Sequence, residues 1–323
     1  MWAQVLDGPF TFREVEVEAP RAEQLADGQV LLATSAGGIC GSDLPFFKGA
    51  PFLHAANRGT PASPAPGFPL HEVVGEVVAS RHPAHAAGDL VVGWASAFDA
   101  IAELVVSDGE GLAGYDTTMA PTTAVMLQPL ACVLYAVEQV GDVRGRTVAV
   151  VGQGPIGLLF SHVLKQRGAG HVVGVDRIDR SRDADVFGVD ETVTASANLW
   201  SATLGETDRP SVVVEAVGHQ VTTLKDCLDS VAAGGEILYF GIPDDAVYPL
   251  DMLTFLRKNI TLRAGVTLER RRVLRDAGSY LAAHPALREV YVTDVHRAGD
   301  VQQGFTAAIQ PRAGQYKVAL DMA

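Results

Sequence analysis

The first hundred residues alternate short apolar or β-branched runs with glycine and proline, which predicts an irregular module rich in β-strands. The strands predicted in this part of the chain are 12–17, 29–33, 73–79 and 90–92. Proline recurs between residues 49 and 69, which excludes a regular helix or a central strand there. This stretch is therefore predicted to be a long ordered loop that forms a pocket wall.

From about residue 130 the pattern changes to brief apolar strands separated by stretches of helical length. The strands predicted here are 147–151, 171–176, 191–194, 212–216, 236–240 and 260–262. Helices are predicted at 156–167, 221–231 and 268–284, the last of them charged and followed by mixed strand and helix signals to residue 320. This alternation is typical of an α/β fold with a parallel sheet between helices.

Composition supports a folded chain with more than one core. The 323 residues are 48% apolar and 20% charged, which is long enough for two domains and too apolar for a disordered chain. The net charge of −13 repels nucleic-acid phosphates and anionic membranes, so neither is expected as a partner. No secretory leader or long apolar run is visible, so the expected compartment is the cytoplasm.

Cysteine usage limits the possible metal sites. Cys40, Cys132 and Cys227 are widely spaced, which excludes a disulfide framework and a four-cysteine structural zinc site. A metal site therefore needs histidine or carboxylate ligands. Cys132 and Cys227 are interpreted as small packed thiols, although Cys132 can also share a helix face with Gln128.

A glycine motif follows the predicted strand 147–151. Gly152, Gly154 and Gly157 have the G-x-G-x-x-G spacing. Pro155 and Ile156 lie between the last two glycines, and the predicted helix begins at Ile156. The first glycine permits a tight turn, the second lets the backbone approach a pyrophosphate, and the third allows close helix packing. A glycine-rich turn can be only a turn, but the strand, helix and second strand together predict a dinucleotide site.

Asp176 ends the second strand of this α/β part, 19 residues after Gly157. A carboxylate there accepts hydrogen bonds from a ribose diol and repels a 2′-phosphate, which favours NAD over NADP. Arg177, Arg180 and Arg182 follow it, and an arginine near this point can hold a 2′-phosphate. The alternative for these arginines is a solvated basic turn.

Cys40 and Ser42 lie in a Gly-Ile-Cys-Gly-Ser-Asp segment, and His71 and Glu72 follow 31 and 32 residues after Cys40. A thiolate and an imidazole suit zinc, provided a third ligand is present and one position stays open for a substrate oxygen.

These motifs resemble the medium-chain, zinc-dependent dehydrogenase and reductase superfamily, near its sorbitol and threonine dehydrogenase branch. The similarity covers nearly the whole chain, including Gln-Pro-Leu-Ala-Cys at 128–132, Val-Glu-Ala-Val-Gly at 214–218 and the glycine-flanked strand at 234–243. It implies a GroES-like β-rich catalytic domain over 1–129 and 267–323. A Rossmann domain, with a doubly wound parallel sheet, would span 130–266, and a homodimer would be joined through these nucleotide domains.

The resemblance also implies the site residues. One catalytic zinc would be held by Cys40 and His71, with Glu72 as a ligand or a close neighbour and Ser42 at the substrate hydroxyl. Gln128 stands where relatives carry Glu or Cys, and its carbonyl oxygen can bind the metal directly or through water. The residues implied beside the cofactor are Gly152, Gly154, Pro155, Ile156, Gly157, Asp176, Arg177, Val217, Gly218 and Gly241.

The chain departs from the family pattern at several positions. Pro45 stands where relatives often carry a histidine that relays the substrate proton, so Lys48 and His54 become candidates, with loop solvation as their simpler role. Only ten residues separate Val92 from Glu103, where relatives insert a lobe with four cysteines, so no structural zinc is expected.

Four further predictions concern residues near these motifs. His82 and His85 are interpreted as exposed turn residues, and His219 as a residue near the cofactor. The aromatic residues that can shape an apolar pocket are Phe46, Phe47, Phe52 and Trp94.

The leading hypothesis is a dehydrogenase that exchanges hydride between NAD and a secondary alcohol of the polyol, cyclitol or sugar-derived class. A metal-free reductase of the quinone or enoyl type on the same fold is the enzyme alternative, supported by Gln128 and Pro45. A dinucleotide-binding protein without catalytic activity is the third hypothesis, since a fold does not determine an activity.

Overall fold

The computed structural model describes residues 1–49 and 65–323. Most of the loop predicted between residues 49 and 69 lies outside the described residues, as do Phe52 and His54. Internal contacts divide the chain into two compact units. Unit 1 comprises Met1–Ala131, Glu269–Pro311 and Gln315–Ala323, and unit 2 comprises Cys132–Leu268 and Arg312–Gly314.

Strands and helices are numbered in chain order. The strands are β1 (Trp2–Gly8), β2 (Thr11–Glu16), β3 (Gln29–Ile39), β4 (Glu72–Ser80), β5 (Leu90–Trp94), β6 (Leu104–Asp108), β7 (Leu112–Gly114), β8 (Thr147–Val151), β9 (His171–Asp176), β10 (Glu191–Thr194), β11 (Val212–Glu215), β12 (Glu236–Tyr239), β13 (Thr261–Ala264), β14 (Val292–Arg297) and β15 (Lys317–Asp321). The helices are α1 (Leu44–Phe47), α2 (Pro121–Ala124), α3 (Leu127–Glu138), α4 (Pro155–Gln166), α5 (Ala197–Thr203), α6 (Thr223–Ser230), α7 (Met252–Arg257), α8 (Arg270–Ala283), α9 (Ala286–Val290) and α10 (Val301–Ile309). None of these described helices has both the length and the apolar character that a membrane crossing requires.

Unit 1 is built on a seven-stranded sheet with the order β14-β15-β3-β4-β5-β7, in which β6 also pairs with β3. The antiparallel pair of β3 and β4 runs from Val30 opposite Ser80 to Gly38 opposite Glu72. The core of unit 1 holds Phe47, Leu70 and Phe305, all fully buried. Phe47 is thus a core residue, so its interpretation as a pocket-shaping side chain is wrong.

Unit 2 contains a six-stranded sheet with the order β10-β9-β8-β11-β12-β13, and each neighbouring pair is parallel. The chain runs from β8 outward to β10 and then returns to β11 on the other side of β8. A reversal of this kind opens a crevice at the carboxyl ends of the strands, where ligands bind. The predicted Rossmann-type parallel sheet and the predicted β-rich module are confirmed by the observed architecture.

Cys227 lies in the core of unit 2 and is fully buried, as its interpretation as a packed thiol predicts. Burial raises the pKa of this thiol, and the nearby carboxylates of Glu215 and Asp226 raise it further. A thiol with a raised pKa stays protonated, which keeps Cys227 inert as a nucleophile or metal ligand.

Candidate functional site

A thiol, an imidazole and a carboxylate converge in unit 1. Cys40 directly follows β3, His71 directly precedes β4, and Glu72 is the first residue of β4. Because Gly38 pairs with Glu72, the end of β3 meets the start of β4. One potential ligand atom from each of the three residues lies within 4.8 Å of those of the other two. The structure therefore brings together three of the four residues predicted around zinc, namely Cys40, His71 and Glu72.

Asp43 orients this group, and the sequence analysis did not identify it. Its Oδ1 lies 2.8 Å from Nδ1 of His71, and its Oδ2 accepts the backbone N–H of Cys40 at 2.9 Å. Burial lowers the pKa of His71, but the Asp43 carboxylate outweighs burial and raises that pKa well above its usual value. A carboxylate at Nδ1 leaves Nε2 as the ligand atom, which fixes the orientation of the ring.

Lys317 is a second residue that the sequence analysis missed. Its Nζ donates to Oε1 of Glu72 at 2.6 Å, and the two side chains are 2% and 0% exposed. Burial alone would lower the pKa of Lys317, but the facing Glu72 carboxylate raises it, so the ammonium stays charged. A β-carbon at Gly38 would collide with the Glu72 carboxylate, so glycine is needed there to leave room for the pair.

The donor set of this cluster fits a zinc ion. Cysteine sulfur, histidine nitrogen and carboxylate oxygen are the ligand types that zinc takes in proteins. Oε2 of Glu72 is buried and has no hydrogen-bond partner among the described residues, which a cation beside it would compensate. Gln128 is the buried second residue of α3, and its predicted part in the metal site stays a prediction.

Ser42 lies in the short helical turn Gly41–Asp43, between Cys40 and Asp43, and is half-buried. Pro45 is the second residue of α1, where its fixed φ suits the first turn of a helix. Lys48 is exposed directly after this helix. Ser42 therefore remains the hydroxyl that the chain places two residues after Cys40, a predicted zinc ligand.

A tight turn between β5 and β6 lies against His71. The N–H of Ala95 donates to the carbonyl of His71 at 2.7 Å, and the N–H of Phe98 donates to the carbonyl of Ala95 at 3.1 Å. The ring centroids of Phe98 and His71 are 5.0 Å apart. The next residue, Asp99, is half-buried, and burial raises the pKa of its carboxyl group to about 6.

The glycine motif forms the predicted strand-to-helix turn of unit 2. Gly152 follows β8 with φ of 90°, and Gly154 is the N-cap of α4. A β-carbon at Gly157 would collide with the carbonyl oxygen of Gly152, whereas one at Gly154 would meet nothing within 4 Å. The helix thus packs closely on the strand while the backbone at Gly154 faces open space. The free N–H groups of a helix N-terminus suit a pyrophosphate in that space.

Asp176 lies at the end of β9, beside the glycine turn. Its Oδ2 accepts the N–H of Gln153 at 2.8 Å, and its Oδ1 accepts the N–H of Ile178 at 2.9 Å. Arg180 is nearly buried, with Nε 4.0 Å from Oδ2 of Asp176, whereas Arg177 is exposed. A carboxylate has about four acceptor positions, so Asp176 keeps capacity for a ribose diol.

Glu215 links the loop that follows β11 to the loop that follows β12 through hydrogen bonds. The sequence analysis did not identify this residue. It ends β11 fully buried, and its carboxylate accepts the backbone N–H groups of Val217, Gly218 and Gly241 at 3.1 to 3.2 Å. Burial raises its pKa, and these N–H donors oppose that shift. A β-carbon at Gly241 would collide with Gly218, so the two loops approach as closely as glycine permits.

A small cavity lies at the carboxyl ends of β12 and β13 in unit 2. Its walls include Cys132, Tyr135, Tyr239, Arg263 and Thr267. Cys132 is half-buried and lines this cavity.

The prediction that His82 is an exposed turn residue is wrong. His82 is 7% exposed, and its Nε2 lies 3.1 Å from Oε1 of Glu110. His85 approaches the same turn, with Nε2 donating to the carbonyl of Gly109 at 2.9 Å. His219 directly follows Gly218, has φ of 53°, and places Nδ1 2.6 Å from Oδ1 of Asp244.

Comparison with known proteins matches both parts of the chain. Residues 155–282 match the zinc-binding dehydrogenase family, and residues 26–127 match the alcohol dehydrogenase GroES-like domain. D-altritol 5-dehydrogenase from Agrobacterium fabrum is 30% identical over 293 residues, which cover 80% of this chain and 82% of that protein.

Solved structures share the fold. One, described as a short chain alcohol dehydrogenase from E. coli with the cofactor NADH, is 18% identical with a TM-score of 0.81, covering 100% of this chain and 99% of that one. Another, a zinc-binding dehydrogenase from Sinorhizobium meliloti bound to NADP, is 21% identical with a TM-score of 0.76, covering 99% of each chain. By its two family matches and its altritol dehydrogenase relative, the chain is an oxidoreductase that belongs to the medium-chain, zinc-dependent alcohol dehydrogenase and reductase superfamily.

Proposed function

We propose that this chain is a zinc-dependent dehydrogenase that exchanges hydride between NAD and a secondary alcohol of the polyol, cyclitol or sugar-derived class. The observation that carries the proposal is the convergence of Cys40, His71 and Glu72, whose potential ligand atoms lie within 4.8 Å of one another. The similarity to D-altritol 5-dehydrogenase supports a polyol as the substrate class.

Four residues of unit 1 have a role in this reaction. Cys40 and His71 would hold a zinc ion, which would supply a Lewis acid for the substrate oxygen. Asp43 holds the His71 ring through Nδ1. Ser42 accepts the hydroxyl proton of the substrate at its Oγ while its own hydroxyl proton passes to a cofactor ribose hydroxyl or to water.

The first test is the metal content of the purified protein. We expect about one zinc per chain, because the thiols are too few for a second, structural site. Cys40→Ala removes a ligand and is expected to lose most of the zinc and of the alcohol oxidation. Cys227→Ala is the matched control, because it removes a thiol from the core of unit 2 and should keep both. Elemental analysis and steady-state kinetics measure the two outcomes.

Two results would contradict this proposal in different ways. Zinc close to two per chain would mean that a second site exists. Zinc near zero, with activity retained in Cys40→Ala, would favour the metal-free reductase that Gln128 and Pro45 leave open.

Asp176 supports NAD over NADP as the cofactor. Its carboxylate is held beside the glycine turn by backbone N–H donors from Gln153 and Ile178, so it stays where a 2′-phosphate would meet its charge.

Wild-type protein is expected to bind NADH at least tenfold more tightly than NADPH, which corresponds to about 1.4 kcal/mol. Asp176→Ala removes the repulsion and should reduce this ratio, as measured by fluorescence titration of both cofactors. Asp179 is an exposed carboxylate three residues after Asp176, and Asp179→Ala should leave the ratio unchanged. If the wild type bound NADPH tenfold more tightly than NADH, Arg177 or its neighbours would have to bind the 2′-phosphate.

A homodimer through unit 2 is also proposed. β13 is the edge strand of the six-stranded sheet, and an unpaired edge can pair with a second copy. Large apolar side chains on α7 and β13 are exposed, namely Met252 at 61%, Leu253 at 58%, Leu256 at 70% and Leu262 at 37%. A second copy on this edge would cover an apolar patch that a monomer leaves in water.

A further inference from the structure

Phe98 has a backbone conformation that bulky residues rarely adopt. The non-glycine residues with positive φ in the described part of the chain are Phe10, Phe98, His219 and Asn259. Left-handed backbone costs an L-residue about 1 to 2 kcal/mol. Such strain persists only where the surrounding structure imposes it, and it is frequent at functional sites. Among these four residues, Phe98, with φ of 61°, is the one whose ring lies against the predicted metal ligand His71.

Backbone hydrogen bonds fix the turn of Phe98 to the segment that carries His71. The N–H of Leu70 donates to the carbonyl of Phe98 at 2.9 Å, and the N–H of Ala100 donates back to the carbonyl of Leu70 at 3.1 Å. The N–H of Ala95 reaches the carbonyl of His71 at 2.7 Å. The ring of Phe98 therefore has a position that is set relative to the imidazole.

The two rings are in contact, with centroids 5.0 Å apart and planes at 49°. Asp43 occupies the Nδ1 side of His71 and is fully buried, whereas Phe98 is only half-buried. Phe98 thus remains partly accessible while its ring lies next to the ligand group. A phenyl ring offers a substrate no hydrogen bond, so its effect on a substrate is to exclude volume and to favour CH groups.

We propose that Phe98 is a specificity-determining residue, whose ring limits the size of one substituent on the reacting carbon of the alcohol. The inference rests on the proposed function and deepens it. The substrate class it indicates is a secondary alcohol whose reacting carbon carries one small group, such as methyl or hydroxymethyl. The ring acts on what binds beside His71 and takes no part in proton or hydride transfer.

The test compares 2-hexanol with 3-hexanol, isomers that differ in whether the smaller substituent is methyl or ethyl. A single methylene in an apolar pocket changes kcat/KM by about 10- to 200-fold, so the wild type should prefer 2-hexanol by at least that lower limit. Phe98→Ala should lose most of the preference through a gain on 3-hexanol. Phe98→Leu, which keeps an apolar side chain, should lose less. The affinities of the zinc-loaded protein for 2-hexanone and 3-hexanone, measured by calorimetry, give the same comparison without turnover.

Phe10→Ala is the matched control. Phe10 has φ of 60°, and its ring centroid lies 5.3 Å from that of Phe47. It is not part of the metal cluster, so Phe10→Ala should leave the ratio of kcat/KM for the two isomers unchanged. Zinc content in both Phe98 variants checks that the metal site is intact. An unchanged ratio, or an equal loss on both isomers, would overturn the role of Phe98 while the proposed function stands. A wild type that oxidises no secondary alcohol or polyol at all would overturn the proposed function itself.

Discussion

Replacing Lys317 by methionine is expected to lower the free energy of unfolding by about 3 to 5 kcal/mol, because it leaves the Glu72 carboxylate buried without its partner. Nζ of Lys317 and Oε1 of Glu72 are 2.6 Å apart, and the side chains are 2% and 0% exposed. Methionine has a similar unbranched apolar stem, so lost packing contributes little. Urea unfolding followed by circular dichroism measures the change.

Two comparisons separate this loss from a general effect of removing a lysine. Lys225 pairs with Asp229 one helical turn away, with side chains that are 60% and 36% exposed. Lys225→Met should therefore cost less than about 1 kcal/mol, as surface pairs do. Adding Glu72→Gln to Lys317→Met removes both charges and should recover most of the loss. A loss in Lys317→Met no larger than in Lys225→Met would show that the buried pair contributes no more than a surface pair.

The cofactor turn could be predicted closely because its signals are local. The predicted strands 147–151, 171–176 and 191–194 agree with β8, β9 and β10 in both bounds. β8 and the middle of β9 are valine-rich and buried, as strands of a parallel sheet are, and Gly152 marks the end of β8. β3 shows the opposite case, because it continues to Ile39 from a predicted end at residue 33. Its second half contains Gly37 and Gly38 and is held by pairing with β4 and β15, which no local pattern signals.

The partners of the metal cluster were missed for two different reasons. Asp43 follows Cys40 by three residues, so its place in the same short turn was a signal that could have identified it. Lys317 lies 245 residues from Glu72, and no spacing rule joins them. A lysine that opens an apolar terminal strand was the available hint, since a charge in a buried strand needs a partner.

His82 was predicted wrongly because its burial is a tertiary effect. The turn beside Pro83 has the composition of an exposed turn, yet Glu110, 28 residues away, lies within hydrogen-bond distance of the His82 ring. Local composition predicts that a turn forms and not what covers it. The left-handed conformation of Phe98 has the same origin, because the adjacent segment of Leu70 and His71 imposes it through backbone hydrogen bonds.

Replacing Ser42 by alanine is expected to lower the rate of alcohol oxidation by about 10² to 10⁴, the usual loss when a positioned proton-transfer group is removed. The hydroxyl proton of the substrate must leave as hydride leaves carbon, and Pro45 has no group to carry it. Ser42 is half-buried in the turn between Cys40 and Asp43, so its hydroxyl is close to the predicted metal site.

A serine hydroxyl can accept one proton while it donates its own, which lets Ser42 pass the proton to a cofactor ribose hydroxyl or to water. Ser42→Thr keeps the hydroxyl and should retain most of the rate, whereas Ser42→Ala should keep NAD affinity and zinc content while turnover falls. Exposed Lys48 lies beyond α1 and should accept substitution by methionine with a smaller loss, because the first acceptor would still be present. Turnover close to that of the wild type in Ser42→Ala, with zinc and NAD binding intact, would show that the hydroxyl only completes a turn and that the proton leaves by another group.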